Sequence, residues 1–213
     1  MLKIFISFSI LAFSLFTWSQ KSNKAPIYFA EPIMVDSNST VIIPTRYDSD
    51  LLTSSKFALW SSYYANIIFY DFNTDVSKKL FSDDTFIRSF TNNYPQNYRY
   101  ERPSKPKNIS SKWIFFFVTP TDFNKSGRID NNDPCILYVS DKQGNGLKSL
   151  TLPSENAVSI EVYEDQNFAL VKMQRDEDAD GDFESDDKDF YYVRLSLDNL
   201  TLGNKIEMKS TKQ

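Results

Sequence analysis

The chain has 213 residues, 41% of them hydrophobic and 15% aromatic, with a formal charge of −4, one cysteine and no histidine. The missing histidine excludes Ser-His-Asp and Cys-His catalysis and histidine-bound zinc or haem. A single cysteine excludes an intramolecular disulfide, and the acidic balance argues against a nucleic-acid partner, which calls for a basic stripe.

Residues 1–19 read as a signal peptide. Lys3 supplies the positive n-region, Ile4 to Trp18 the apolar run, and Thr17 and Ser19 the small residues before cleavage at Gln20. The run is shorter than the roughly 20 residues of a spanning helix. An uncleaved anchor is the rival reading; the run has no cysteine, so a lipoprotein signal is excluded. No later segment is apolar enough to span a membrane. The expected location is secreted or periplasmic, with residues 20–213 as a single domain.

Period-2 and β-rich runs dominate the rest, and no long amphipathic helix is found. The predicted strands are Ile27–Ala30, Ile33–Val35, Val41–Ile43, Lys56–Trp60, Ile67–Phe72, Lys112–Val118, Ile136–Ser140, Val158–Tyr163, Phe168–Gln174 and Phe190–Ser196. Their aromatic residues, among them Trp60, Phe69, Trp113, Phe115, Phe116, Phe117, Tyr191 and Tyr192, are expected to form a core. A sugar-stacking row is the alternative. Asp83 to Ser111, with Pro95, Pro103 and Pro106, reads as a long surface excursion that Asp83 and Asp84 open with one helical turn. Cys135 begins an apolar run and is expected to be a buried, structural thiol.

Two acidic stretches carry the clearest chemistry. Asp122 to Asp133 and Asp176 to Asp187 each place oxygen side chains at positions 1, 3, 5, 9 and 12, glycine at 6 and an apolar residue at 8. That is the spacing of a twelve-residue calcium loop. In the first loop the ligands are Asp122, Asn124, Ser126, the Arg128 carbonyl, Asp130 and Asp133. In the second they are Asp176, Asp178, Asp180, the Asp182 carbonyl, Glu184 and Asp187. A hard cation takes six to eight oxygens at roughly 2.3–2.6 Å. Gly127 and Gly181 permit the reversal at position 6, and Ile129 and Phe183 anchor the loops from position 8. The second loop, with more carboxylates, is expected to bind more tightly. It is also expected to be the more mobile without metal, since like charges about 4 Å apart repel by about 4 kcal/mol at an effective dielectric of 20.

The loops occupy equivalent points of a repeat. A shift of 54 lays Asp122 on Asp176, Gly127 on Gly181, Trp113–Val118 on Asn167–Lys172 and Tyr138 on Tyr192. A shift of 70 lays Asp71 on Asp141, Lys78 on Lys148 and Leu80 on Leu150. The unit is strand, connection, strand, tight turn, short strand. The connection is short in the first copy, at Ser61-Ser62, and acidic in the later ones. This is the pattern of a propeller blade or a β-meander. The fold class is therefore all-β and antiparallel: a propeller-like repeat or, alternatively, a β-meander sandwich.

Ile136-Leu-Tyr-Val-Ser-Asp-Lys-Gln-Gly-Asn-Gly-Leu-Lys-Ser-Leu-Thr151 resembles the blade motif of TolB-type β-propellers, and Asn66–Phe81 is similar without the glycine. The acidic loops resemble the strand-loop-strand calcium loops of integrin-type propellers and dockerin-like repeats. The signal segment, ending at Ser19-Gln20, resembles those of secreted Bacteroidota proteins. These resemblances imply a propeller-like repeat and structural Ca2+, and no particular activity.

Other motifs carry little. Ser104–Lys107 and Ser185–Lys188 have the Ser-x-x-Lys spacing but lie in polar surface stretches, where nothing activates a serine. No P-loop or glycine-rich nucleotide fingerprint is present. Arg99, Arg102, Lys105 and Lys107 alternate with Tyr98 and Tyr100 and suit a solvated loop or an acidic partner. The leading expectation is a non-catalytic, calcium-stabilised module that binds a protein or glycan. The alternatives are a carbohydrate-active or lectin-like domain and a structural cell-surface component.

Overall fold

The computed structural model describes residues 27–35, 39–47, 63–91 and 110–208. The predicted signal segment, the predicted strand Lys56–Trp60 and the basic patch at 99–107 lie outside the described residues. The described part is all-β and entirely antiparallel, as the sequence pattern predicts.

Three meanders of the same plan follow one another. In the first, β1 (Ile27–Phe29) and β2 (Ile33–Met34) pair with successive parts of β3 (Thr40–Tyr47), forming one interrupted outer strand. β3 then pairs with β4 (Tyr64–Asp71), and β4 with β5 (Val76–Lys79). The second meander is β6 (Phe86–Phe90), β7 (Trp113–Thr119), β8 (Ile136–Asp141) and β9 (Lys148–Ser149). The third is β10 (Asn156–Tyr163), β11 (Phe168–Gln174), β12 (Phe190–Ser196) and β13 (Leu202–Ile206). The first two share one hydrogen-bonded sheet only through the single pair Tyr64↔Ile87. Among the described residues the sheets do not close, so the arrangement is an open stack of meanders.

The core explains the stacking. β7 alternates its side chains between two clusters, as period 2 requires. Phe115 and Phe117 enter a cluster with Leu137, Val139, Ile160, Val171, Met173, Val193 and Leu195. Ile114, Phe116 and Val118 enter a second cluster with Ile42, Ile67, Phe69 and Ile87. The second meander is thus buried on both faces, between its neighbours. Full burial of each such side chain contributes about 1.5–3 kcal/mol.

The repeat is visible in the turns. Asp71 accepts Asn73 N–H at 2.9 Å at the end of β4, and Asp141 accepts Gln143 N–H at 2.9 Å at the end of β8. That hydrogen bond holds the Asp71 carboxyl below its ordinary range. The β8–β9 turn adds Gly144, at φ +74, whose missing side chain leaves room for the Phe69 ring of the first meander.

Two differences from the sequence reading stand out. The stretch after Asp83 carries strand β6 at Phe86–Phe90 where a loop was expected. The expected Ser61-Ser62 connection lies outside the described residues. The fourth strands β9 and β13, and β5, are too short or too exposed to show a hydrophobic period.

Candidate metal centre

Both acidic loops join the second strand of a meander to its third: residues 120–135 between β7 and β8, and 175–189 between β11 and β12. They fold alike. The position-1 carboxylate accepts the position-6 glycine N–H, at 2.8 Å for Asp122 and Gly127 and 2.9 Å for Asp176 and Gly181. The position-12 carboxylate accepts the N–H of position 2 through one oxygen: Phe123 to Asp133 at 2.7 Å, Glu177 to Asp187 at 2.8 Å. Its other oxygen accepts the N–H of position 9: Asp130 to Asp133 at 2.9 Å, Glu184 to Asp187 at 3.2 Å. Gly127 and Gly181 have φ of +90 and +87, and Lys125 and Ala179, at position 4, are also left-handed. Phe183 is buried, and Ile129 packs against Tyr47, Ala65 and Phe86. Two loops with little sequence in common beyond the spacing adopt one hydrogen-bonding scheme.

Their electrostatics differ. In the second loop, carboxylate oxygens of Asp176, Asp178 and Asp187 lie within 4.8 Å of one another. Asp176 Oδ1 is completely buried and has no hydrogen-bond partner among the described residues. Asp178 and Glu184 are both pushed above the ordinary carboxyl range, first by partial desolvation and then by neighbouring carboxylates. For Asp178 these are Asp180, Asp176 and Asp187; for Glu184 they begin with Asp186 and Asp182. Asp180 instead accepts Asp182 N–H at 2.8 Å.

The first loop satisfies itself. Asn124 Oδ1 accepts Ser126 N–H at 2.9 Å, Ser126 Oγ donates to the Arg128 carbonyl at 3.0 Å, and Arg128 Nε pairs with Asp130 at 3.0 Å. Among the described residues no comparable trio of carboxylate oxygens forms there.

Two further residues, which the spacing did not single out, hold the loops from behind. Arg88 of β6 donates to the carbonyls of Asp130 at 3.3 Å and Asp133 at 2.7 Å. Gln174 of β11 donates to the carbonyls of Glu184 and Asp187, each at 2.9 Å. These are positions 9 and 12 in both cases. Gln174 is itself fixed by buried Asn156, whose Nδ2 donates to it at 2.7 Å. The first loop therefore carries a guanidinium where the second carries a neutral amide.

The loops also touch each other. Phe183 N–H donates to the Asn132 carbonyl at 2.8 Å, Asn132 Nδ2 donates to Glu184 Oε1 at 2.8 Å, and Asn124 Nδ2 donates to Asp182. Gly181 lies against Phe123 and Asn124.

Cys135 is buried, and desolvation raises its thiol pKa to about 11, so it is not a nucleophile at neutral pH. Tyr163 and Tyr192 are exposed on the outer face of the third meander, where Lys172 covers the Phe190 ring and Arg194 the Phe168 ring. Trp113 is spent on the fold, its indole N–H donating to the Leu197 carbonyl at 2.8 Å. No helix among the described residues is long and apolar enough to cross a membrane. Compared with known proteins, the chain matches no family and no curated protein sequence.

Proposed function

We propose that the chain is a calcium-stabilised β-repeat module of TolB-like, propeller-related plan. It is exported to the periplasm or the exterior, and it binds a protein or glycan partner without catalysing a reaction. The cation is structural and belongs first to the second acidic loop. The observation that carries this reading is the buried, unpartnered Oδ1 of Asp176, a residue whose carboxylate clusters with those of Asp178 and Asp187. A buried carboxylate oxygen without a donor is costly, and a divalent cation at that point satisfies it while offsetting the desolvation and the repulsion that raise Asp178 and Glu184. An all-oxygen set built from carboxylates and carbonyls suits a hard ion such as Ca2+ over zinc or copper.

The loop flanks are strands, so there is no helix pair to open on binding, and a signalling switch lacks its moving part. On the outer face of the third meander Lys172 covers the Phe190 ring and Arg194 the Phe168 ring, which leaves Tyr163 and Tyr192 as the exposed rings there. The test is thermal melting with 2 mM calcium and with chelator. With calcium at a hundredfold its Kd, linkage adds about 2.7 kcal/mol, and melting should rise by several degrees. Equal melting temperatures in the two conditions would remove the structural-metal reading.

A further inference from the structure

The repeat makes the two acidic loops look like equal and independent cation sites. The contacts between them describe a different relation. All three cross-loop hydrogen bonds reach consecutive residues of the second loop: Asp182, Phe183 and Glu184. These are positions 7, 8 and 9, which supply one carbonyl ligand, the apolar anchor and one carboxylate ligand. The opposite wall of the second loop, Asp176, Asp178 and Asp187, is held by the loop's own backbone.

The first loop meanwhile makes a rigid support. Its Ser126, Arg128 and Asp130 side chains are bonded within the loop, and Arg88 grips its carbonyls at positions 9, 10 and 12. Asn132 stands between the two. Its N–H is fixed to Asp130 at 3.0 Å, its carbonyl takes Phe183 N–H, and its amide turns to Glu184.

We infer that the first loop positions one wall of the second loop's cation site, with Asn132 as the positioning residue for Glu184. This rests on the calcium reading given above. The cation centre is then composite: ligands come from the third meander, and part of their orientation comes from the second. Loading the second loop with a cation also ties the two meanders together at that end of the stack.

The substitution Asn132→Ala removes the amide and leaves the Phe183–Asn132 backbone bond in place, so it isolates the side chain. Calcium titration calorimetry on the full chain should show the second-loop Kd weakened about tenfold, the lower end of what loss of an outer-shell partner of a metal ligand brings. Ser149→Ala, on exposed β9 and in neither loop, should leave that Kd unchanged. In a Glu184→Gln background, Asn132→Ala should add less than its effect alone, because the group it positions has changed. That non-additivity separates positioning from a general loss of stability.

The second-loop step is identified by its disappearance in Asp176→Asn. If the unaltered chain shows no such step, the calcium reading itself has failed. If the step is present and Asn132→Ala stays within twofold of the unaltered Kd, or the double variant is strictly additive, the positioning role is overturned while the calcium reading stands.

Discussion

Asp133 and Asp187 are both at position 12, both buried, and do different amounts of work with and without metal. Asp133 accepts three backbone N–H groups, at 2.7, 2.9 and 3.3 Å, from Phe123, Asp130 and Asn124. Asp187 accepts two, at 2.8 and 3.2 Å. Hydrogen bonds to a charged acceptor contribute about 1.5–3 kcal/mol each, and less where exposed or shared. At the low end of that range, the three donors lost in Asp133→Ala should cost about 4.5 kcal/mol in chelator and the two lost in Asp187→Ala about 3 kcal/mol. For a domain of this size each kcal/mol moves the melting temperature by roughly 2–4 °C. In chelator, then, Asp133→Ala should melt lower than Asp187→Ala. In calcium the order should reverse. Asp187→Ala also forfeits the linkage contribution of about 2.7 kcal/mol, which the unaltered chain and Asp133→Ala both gain at the second loop. Scanning calorimetry of three proteins in two buffers is sufficient. A deficit for Asp187→Ala that is the same in both buffers would refute the reasoning, because it would mean that this carboxylate holds only backbone and no cation.

Two other predictions follow from geometry and charge. Gly144→Ala places a methyl group 2.5 Å from the Phe69 ring at φ +74, and strain plus overpacking should cost about 3 kcal/mol. Gly127→Ala, at φ +90 with nothing within 4 Å, should show the strain alone, about 1 kcal/mol; equal denaturation midpoints for the two would deny the Phe69 contact. The raised Asp178 carboxyl sets a pH dependence in chelator. A carboxyl raised on folding holds its proton longer in the folded chain, so its contribution to stability declines as pH rises through the carboxyl range toward neutrality. Asp178→Asn should therefore raise the metal-free melting temperature at pH 7 and lose that advantage by about pH 2.5, more than a unit below the ordinary aspartate value. An advantage that grows on acidification would reverse the sign of the argument.

Much of the fold is legible because β-structure writes its period into the chain. β7 reads Trp113-Ile-Phe-Phe-Phe-Val-Thr119, an uninterrupted apolar run, and such runs mark strands buried on both faces. The structure places that strand in the middle meander, feeding both core clusters. β13 reads Leu202-Gly-Asn-Lys-Ile206 and is exposed throughout, so it has no buried face to impose a pattern. β6 was hidden for a different reason. Its Phe86-Ile-Arg-Ser-Phe90 sequence breaks alternation at a bulge between Ile87 and Ser89, and it adjoins a polar, proline-rich stretch.

The site divides in the same way. Spacing alone located twelve candidate ligands, because ligand geometry in a tight loop fixes which residues face inward. Spacing is silent about what stands behind the loop, and that is where the two sites part. Arg88 lies 34 residues before the first loop's first ligand and looks like an ordinary strand cation; only pairing of β6 with β7 brings it under the carbonyls of Asp130 and Asp133.

The contact between the loops, by contrast, was implicit in the repeat. Facing sheets pack about 10 Å apart, so equivalent loops of successive meanders emerge as neighbours, within reach of the first loop's asparagine side chains Asn124 and Asn132. A sequence repeat that carries a loop at the same point in adjacent copies is therefore already a statement about proximity. The asymmetry follows from what each loop can spare. The first uses Arg128 to neutralise Asp130 and accepts a second guanidinium from Arg88, which lowers its attraction for a cation. The second has no cation of its own at the equivalent points, keeps an unpartnered oxygen, and borrows its order from the first. Replacing Arg88 and Arg128 with glutamine should accordingly raise calcium affinity at the first loop, a result that titration calorimetry reads directly. A first loop that stays silent without its two arginines would mean that Asn124 and Ser126, and not the guanidinium charge, set its weakness.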